Sequence, residues 1–341
     1  AAACASLFRR HGDLWGRARA SRHPEAAVRQ AEHAANRHQQ SPAPDPIGKG
    51  FDIGAHRIAA RILRIADHQG FEGATDHLVG VTHECDYPEI VGSRARVTKS
   101  SIPHTSDPAV IDAAVRELHG AGHALFSMDE ARIKALHPDV LLTQALCEVC
   151  AISETDVRAL AEKLSPVPRI VTLGGTTLDG VYADIQAVAQ VMNASDEAEE
   201  LLAGLRNRVK HVHDILKAAK APRPRAALLE WTDPVYIAGH WGPEQIKRAG
   251  GVDVLGTAGA HSTTVPMEQL VLADPQFVLF APCGYSLKAS VAEAKRCLAL
   301  PQWSWLAGRQ VWALDANGLV SRPGPRIVDG IEAMARILNP L

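Results

Sequence analysis

One pattern limits this chain more than any other. Between Ser195 and Lys220, Ala198, Leu201, Leu202, Leu205, Val209, Val212 and Leu216 recur at threes and fours, with Asp196 and Glu197 at the start, Lys217 and Lys220 at the end and Pro222 beyond. This is the period of a helix with one apolar face, its terminal charges matching the helix dipole. Ser195 is placed to cap it. About 25 residues at about 1.5 Å each make a rod of roughly 37 Å, long enough to run from one folded body to another. Such a rod permits only a small hinge motion between them.

The flanking sequence supplies both bodies. Before the rod, short apolar runs ("HLVGVT", "ALFSM", "DVLLTQ", "RIVTL") alternate with helical patterns such as "DPAVIDAAVRELHGAG" and "SETDVRALAEKL". After it come "RAALLEW", "VYIAGH", "FVLFAP" and "QVWALDAN". This alternation predicts an α/β architecture of parallel sheets covered by helices. "ALHPDVLLTQALCEVC" and "LADPQFVLFAPCGYS" echo one another as helix end, buried strand and cysteine-bearing loop, which fits two similar lobes. Residues 1–54, rich in Ala, Arg, His, Gln and Pro, are expected to form a mobile extension. The boundaries read as 55–194 for a first lobe with an atypical start, 195–220 for the linking helix and 221–341 for a second lobe.

Composition removes several classes of function. A net charge of −2 and a pI near 6.8 provide no field for nucleic acid or an anionic membrane surface. Six cysteines (Cys4, Cys85, Cys147, Cys150, Cys283, Cys297) in 341 residues are too sparse for a disulfide scaffold. No apolar run approaches the roughly 18–20 residues that span a bilayer. The start "AAACASLFRRHGDLWGRARA" lacks the order of a secretory signal, which favours a cytoplasmic over a periplasmic location, with organelle import as the alternative its arginines raise. No G-x-S-x-G, H-E-x-x-H or phosphate-binding loop occurs, so the chain is expected to bind rather than to catalyse.

In open α/β sheets, ligands meet the loops at the carboxyl ends of strands. Those loops here are "THECDYP", the one carrying "CEVC", "WTDP", "GHWGPE", "APCGYS" and "DANGLVSRPGPR". They hold Tyr87, Trp231, Trp241 and Tyr285 in a chain with only 5 % aromatics, which suits a pocket for a large, flat, partly apolar ligand. Arg322 and Arg326 precede the last helical pattern, where a cation opposes the helix dipole and is better used on a carboxylate or a polar ligand group. Cys147 and Cys150 have dithiol or half-zinc spacing, but no second such pair exists. A metal or redox protein using Cys85, Cys147, Cys150 and Cys283 therefore stands as a competing reading.

"LVGVTHECDYP", "LTQALCEVCAIS", "LEWTDPVYIAGHW", "AGGVDVLG", "LADPQFVLFAPCGY" and "RPGPRIVDGIEAMARIL", in this order and spacing, resemble the cobalamin-binding branch of the periplasmic binding protein family. These are class III substrate-binding proteins of cobalamin and iron-siderophore uptake. The resemblance covers about residues 77–341 and implies two Rossmann-like lobes bridged by one long helix, with a corrinoid (cobalamin) between them as ligand and no catalytic cofactor. It implies an ABC permease as partner and a monomeric chain, and a siderophore or haem-like chelate is the alternative cargo. Carried over residue by residue, the cleft positions are Thr82, His83, Glu84, Cys85, Asp86 and Tyr87, then Gln144, Cys147, Glu148 and Cys150. The second lobe contributes Trp231, Asp233, Gly239, His240, Trp241, Cys283, Gly284, Tyr285, Asn317, Arg322 and Pro323. His83 or Cys85 would be the axial cobalt ligand, since imidazole and thiolate are both competent donors. The chain departs from the family at its start, where "ARILRIADHQGFEGATDHLVGV" replaces the usual first strand and helix and reads as helix-like from Arg57 to Gln69. One strand of the first lobe is thus expected to be lost or rebuilt.

Overall fold

The computed structural model describes the backbone of residues 61–63 and residues 77–340, less 88, 104, 106, 122 and 146–151. The expected extension over 1–54 lies outside the described residues. In the first lobe, β1 (Arg61–Leu63), β2 (Leu78–Val81), β3 (Ala95–Arg96), β6 (Val140–Gln144) and β7 (Arg169–Leu173) form one sheet in the order β3-β2-β1-β6-β7, while β4 (Thr98–Ser100) and β5 (Phe126–Met128) pair separately. Helices α1 (Pro108–Gly120), α2 (Glu130–Leu136), α3 (Glu154–Ala161) and α4 (Leu178–Val191) surround them. Each starts where a short polar side chain accepts from a free backbone N–H: Asp107, Asp129, Ser153 and Thr177.

Part of the predicted helix-like run is instead β1, a rebuilt strand antiparallel to both β2 and β6. Three residues are too few to show a period, and a strand there satisfies backbone groups that β2 and β6 would otherwise leave open.

The linking helix, α5, spans Ser195–Ala218 as the pattern predicted, although Ser195 is its first helical residue and Ala194 takes the cap position without a side-chain bond. Its apolar face is divided between the lobes. Ala198 belongs to the first lobe's core beside Val188 and Met192, whereas Leu202, Leu205, Val209 and Val212 belong to the second lobe's core. Leu201 packs against both. Each buried leucine contributes about 1.5–3 kcal/mol, so α5 is fastened to both lobes and more firmly to the second.

The second lobe contains β8 (Arg225–Thr232), β9 (Val235–Ile237), α6 (Gly242–Arg248), β10 (Val252–Asp253), β11 (Thr263–Thr264), α7 (Met267–Leu272), β12 (Phe277–Phe280), α8 (Leu287–Leu298), β13 (Gln310–Ala313), α9 (Ala316–Leu319) and α10 (Ile327–Leu338). Its sheet runs β11-β9-β8-β12-β13, with β10 on β8. In β8, Ala226 and Leu228 face the core shared with α5, α6 and α10, and Ala227 and Leu229 face the core under α8. A strand covered on both faces needs this unbroken apolar run.

The sheets are mixed, not wholly parallel as expected. β8, β12 and β13 are parallel, but β9 runs antiparallel to β8. Only Asp233 and Pro234 separate β8 from β9, and a parallel return needs a crossover of about a dozen residues or more. No helix among the described residues is long and apolar enough to cross a membrane.

Candidate functional site

Strand direction brings the candidate loops together. β2 and β6 are each antiparallel to β1, and β7 is parallel to β6, so all three deliver their carboxyl ends to one edge of the first lobe. That edge carries residues 82–87, Gln144 and the segment 174–177. The parallel strands β8, β12 and β13 deliver Trp231, the segment 281–285 and the segment 314–322 to one edge of the second lobe.

The two edges meet. Arg322 Nη1 donates to Asp86 Oδ1 at 2.5 Å, and its Nη2 lies 3.4 Å from the Glu84 carbonyl oxygen. The Arg326 guanidinium stacks 3.9 Å above the Tyr87 ring. Elsewhere between the lobes, Leu178 N–H donates to Glu244 Oε2 at 2.9 Å. Gly259 is left-handed with φ 79°, and a Cβ there would stand 3.4 Å from Thr177 Cγ2, so this turn closes against the first lobe.

Within the 82–87 loop, polar atoms are tied inward. Thr82 is buried, its Oγ1 accepts from Glu84 N–H at 3.3 Å, and its carbonyl accepts from Arg96 Nη1 at 2.8 Å. Arg96 also donates to the Cys85 carbonyl, so one guanidinium pins the turn from beneath. His83 Nδ1 is bonded to Thr98 Oγ1 at 2.7 Å, its ring lies on Phe126, and Nε2 is 3.6 Å from Glu84 Oε1. Thr98 thus fixes the imidazole's orientation and leaves Nε2 toward Glu84. Cys85, by contrast, is 1 % exposed within the apolar core with Val81 and Val91. As the structure stands, its thiol is a core side chain and does not reach the edge as an axial donor would need to.

In the second lobe, Trp231 and Tyr285 meet edge to face at 5.7 Å, and Asn317 secures the segment by donating Nδ2 to Gly284 O at 3.0 Å and N–H to Tyr285 O at 3.1 Å. Burial pushes the Tyr285 phenol up to about 12, so it is a neutral donor at any ordinary pH. Cys283 N–H donates to Glu230 O, Asp233 is exposed at the β8–β9 turn, and Gln144 is buried at the end of β6. Arg322 is buried at the start of the segment that also buries Pro323, Gly324 and Pro325.

Three predicted positions do not lie at that edge. Because β9 doubles back, Ile237 pairs with Leu229 and Ala238 N–H donates to Leu228 O, which carries Gly239, His240 and Trp241 away from the carboxyl end of β8. Trp241 is core, donating Nε1 to Val320 O at 2.6 Å. His240 is held at φ 48° against His261, ring centroids 5.4 Å apart, and burial followed by the His261 charge lowers its pKa. Cys147, Glu148 and Cys150 lie outside the described residues. Among the described residues no three His, Cys, Asp or Glu side chains gather to hold a metal ion.

Sequence reasoning passed over Arg96 and His261. Neither carries a signal of its own: the partners of Arg96 are backbone carbonyls, and His261 meets His240 through a turn.

The periplasmic binding protein family model matches residues 102–296, more than half of the chain. The Vitamin B12-binding protein of Vibrio cholerae serotype O1 is 23 % identical over 289 residues, covering 82 % of this chain and 90 % of the relative. Among solved structures, the periplasmic heme-binding protein BhuT in complex with two hemes superposes with a TM-score of 0.55 at 22 % identity, over 79 % of this chain and 90 % of that one. A periplasmic heme-binding protein from Pseudomonas aeruginosa gives 0.57 at 19 % identity, over 78 % and 86 %. The periplasmic Vitamin B12 binding protein BtuF of Vibrio cholerae gives 0.52 at 22 % identity, over 78 % and 89 %. At these identities the structural likenesses establish the fold.

Proposed function

The chain belongs to the periplasmic binding protein family, and from that premise we propose that it holds a corrinoid between its two lobes and passes it to an ABC-type permease. Its fold is that of the class III members, two α/β lobes on one linking helix, and the family's members are substrate-binding proteins rather than enzymes. The observation that carries the reading is the pairing of Arg322 with Asp86, because it faces the strand-end loops of one lobe onto those of the other. The six-segment resemblance and the curated relatives named for vitamin B12 support a corrinoid as cargo. Trp231 adds a partly exposed flat apolar face, backed edge to face by the buried Tyr285, the kind of surface such a macrocycle needs. Loading a permease from outside requires the chain to sit on that side of the membrane.

A haem-like chelate in the same place is the second reading, favoured by the periplasmic heme-binding proteins among the solved structures of this fold. The test is to incubate the full chain with hydroxocobalamin or with haemin, desalt, and record absorbance beside a zinc assay. Retention of the corrinoid chromophore at one per chain supports the proposal. Retention of haemin alone moves the cargo to haem, and a colourless protein carrying stoichiometric zinc overturns both in favour of a thiol metal site.

A further inference from the structure

Away from the facing edges, a concave groove of about 740 Å³ lies where α4 of the first lobe, α5 and α6 of the second lobe converge. Its floor is apolar, made by Leu178, Tyr182, Val209 and Leu216. Gly250, left-handed with φ 87°, lets the chain after α6 close on Leu216, where a Cβ would come within 2.7 Å of Leu216 Cδ1. The rim is cationic, with Arg206, Lys217, Arg223 and Lys247. Two further rim cations are already paired, Lys210 with Asp214 and Arg248 with Glu244, and Asp179 is a carboxylate on the rim itself. Among the described residues, Lys217 and Lys247 reach no carboxylate at ion-pair distance.

One side chain in the floor is unsatisfied. Tyr182 is 3 % exposed, and its hydroxyl has no hydrogen-bond partner among the described residues. The Arg206 guanidinium covers its ring at 5.2 Å. A buried hydroxyl without a partner is uncommon and calls for a cause. An anionic group that draws Arg206 off the ring would supply the missing acceptor.

We propose that this groove binds one anionic amphiphile, with its carboxylate or phosphate head at Arg206 and the Tyr182 hydroxyl and its apolar body along the floor toward Leu216. Charge complementarity selects an anion, and the apolar floor selects a body beyond the head. The concavity favours a single molecule over a bilayer, which presents a flat surface. An acidic peptide would satisfy the rim and leave the floor uncovered. Since both lobes line the groove, an occupant there touches the hinge.

The test is calorimetric titration of the full chain with laurate, against dodecyltrimethylammonium, vesicles of phosphatidylglycerol and a polyglutamate peptide. Laurate should saturate at one per chain and the cation should not bind. Arg206→Glu should weaken laurate by about tenfold or more. Tyr182→Phe, which removes the unpartnered hydroxyl and keeps the ring, should weaken laurate several-fold with no loss of melting temperature. Absence of saturable laurate binding, equal affinity in all variants, or binding of vesicles or peptide without laurate would overturn the proposal. Should charge reversal unfold the chain, Arg206→Ala and Tyr182→Phe make the same comparison. Hydroxocobalamin retention by the same variants is expected to be unchanged, so failure of the groove and failure of the interlobe cargo are separately visible.

Discussion

Arg322 donates to Asp86 at 2.5 Å across 236 positions of sequence, and it does so from a buried side chain, 7 % exposed, to a carboxylate that is 58 % exposed. The Arg322 guanidinium bonds to Asp86 and to the Glu84 carbonyl, both in the first lobe, and Asp86 is the partner that stays largely in solvent. An exposed partner keeps the pair near about 1 kcal/mol rather than the roughly 3 kcal/mol of a fully buried charged hydrogen bond.

Arg322→Ala and Asp86→Ala are therefore each expected to shift the lobes toward an open arrangement, read as a larger radius of gyration in small-angle scattering. The double variant should open no further than either single one. Strictly additive effects would mean that the two side chains act separately. High salt should mimic the single variants in part, because the carboxylate is within reach of counterions.

Gly330 lies in α10 where a Cβ would stand 2.2 Å from the Leu319 carbonyl oxygen and 2.5 Å from Gln245 Nε2. That amide nitrogen donates to Leu319 O and Ile327 O, so it cannot move aside without losing both bonds. Gly330→Ala is expected to destabilise the chain by about 3 kcal/mol in denaturant unfolding. Gly308→Ala is the control: its surroundings are open, and its φ of 83° alone should cost about 1 kcal/mol.

Glu293, 4 % exposed, accepts from Arg296, Thr232 and Cys297. Burial raises its pKa, but the Arg296 and Thr232 donors prevail and hold it below the usual carboxylate range. A depressed carboxylate contributes stability that is complete above its unfolded value and is lost as pH falls below it. Glu293→Ala should cost about 2 kcal/mol, seen as a lowered denaturant midpoint, because Thr232 and Arg296 lose their acceptor. Burial, then the Glu293 charge, pushes the Cys297 thiol up to about 12, so iodoacetamide should leave it unmodified in the folded chain at pH 8.

His240 gives a second pH signature of the same sign. Burial lowers its pKa below the ordinary value of 6.5, so the unfolded chain takes up a proton first as pH falls. Stability is then lost on going from about pH 7 toward pH 5.5. His240→Gln should flatten this part of the stability profile, and an unchanged slope would show that the imidazole is solvated in the folded chain.

Much of this was legible in the sequence for identifiable reasons. The linking helix announced itself because Ala198, Leu201, Leu202, Leu205, Val209, Val212 and Leu216 recur on one helical face, and its ends carry dipole-matched charges. Arg322 stood out because a cation at a helix start needs a partner elsewhere, and the structure supplies Asp86. The direction of β9 was not legible: "VYIAGH" looks alike in parallel and antiparallel pairing, and only the brevity of the Asp233-Pro234 connection decides it. That one reversal moved His240 and Trp241 away from the edge where parallel pairing would have left them. The inward turn of Cys85 was hidden for a similar reason, since "HECDY" alternates too irregularly to say which side chain faces the core.

Cargo held between the lobes is tested most directly by titration calorimetry of hydroxocobalamin into the wild-type chain, Trp231→Ala and Tyr285→Ala. Binding at one corrinoid per chain, weakened by about tenfold or more when either ring is removed, is the predicted result. No measurable heat with the wild-type chain, or equal affinity in all three proteins, would contradict it.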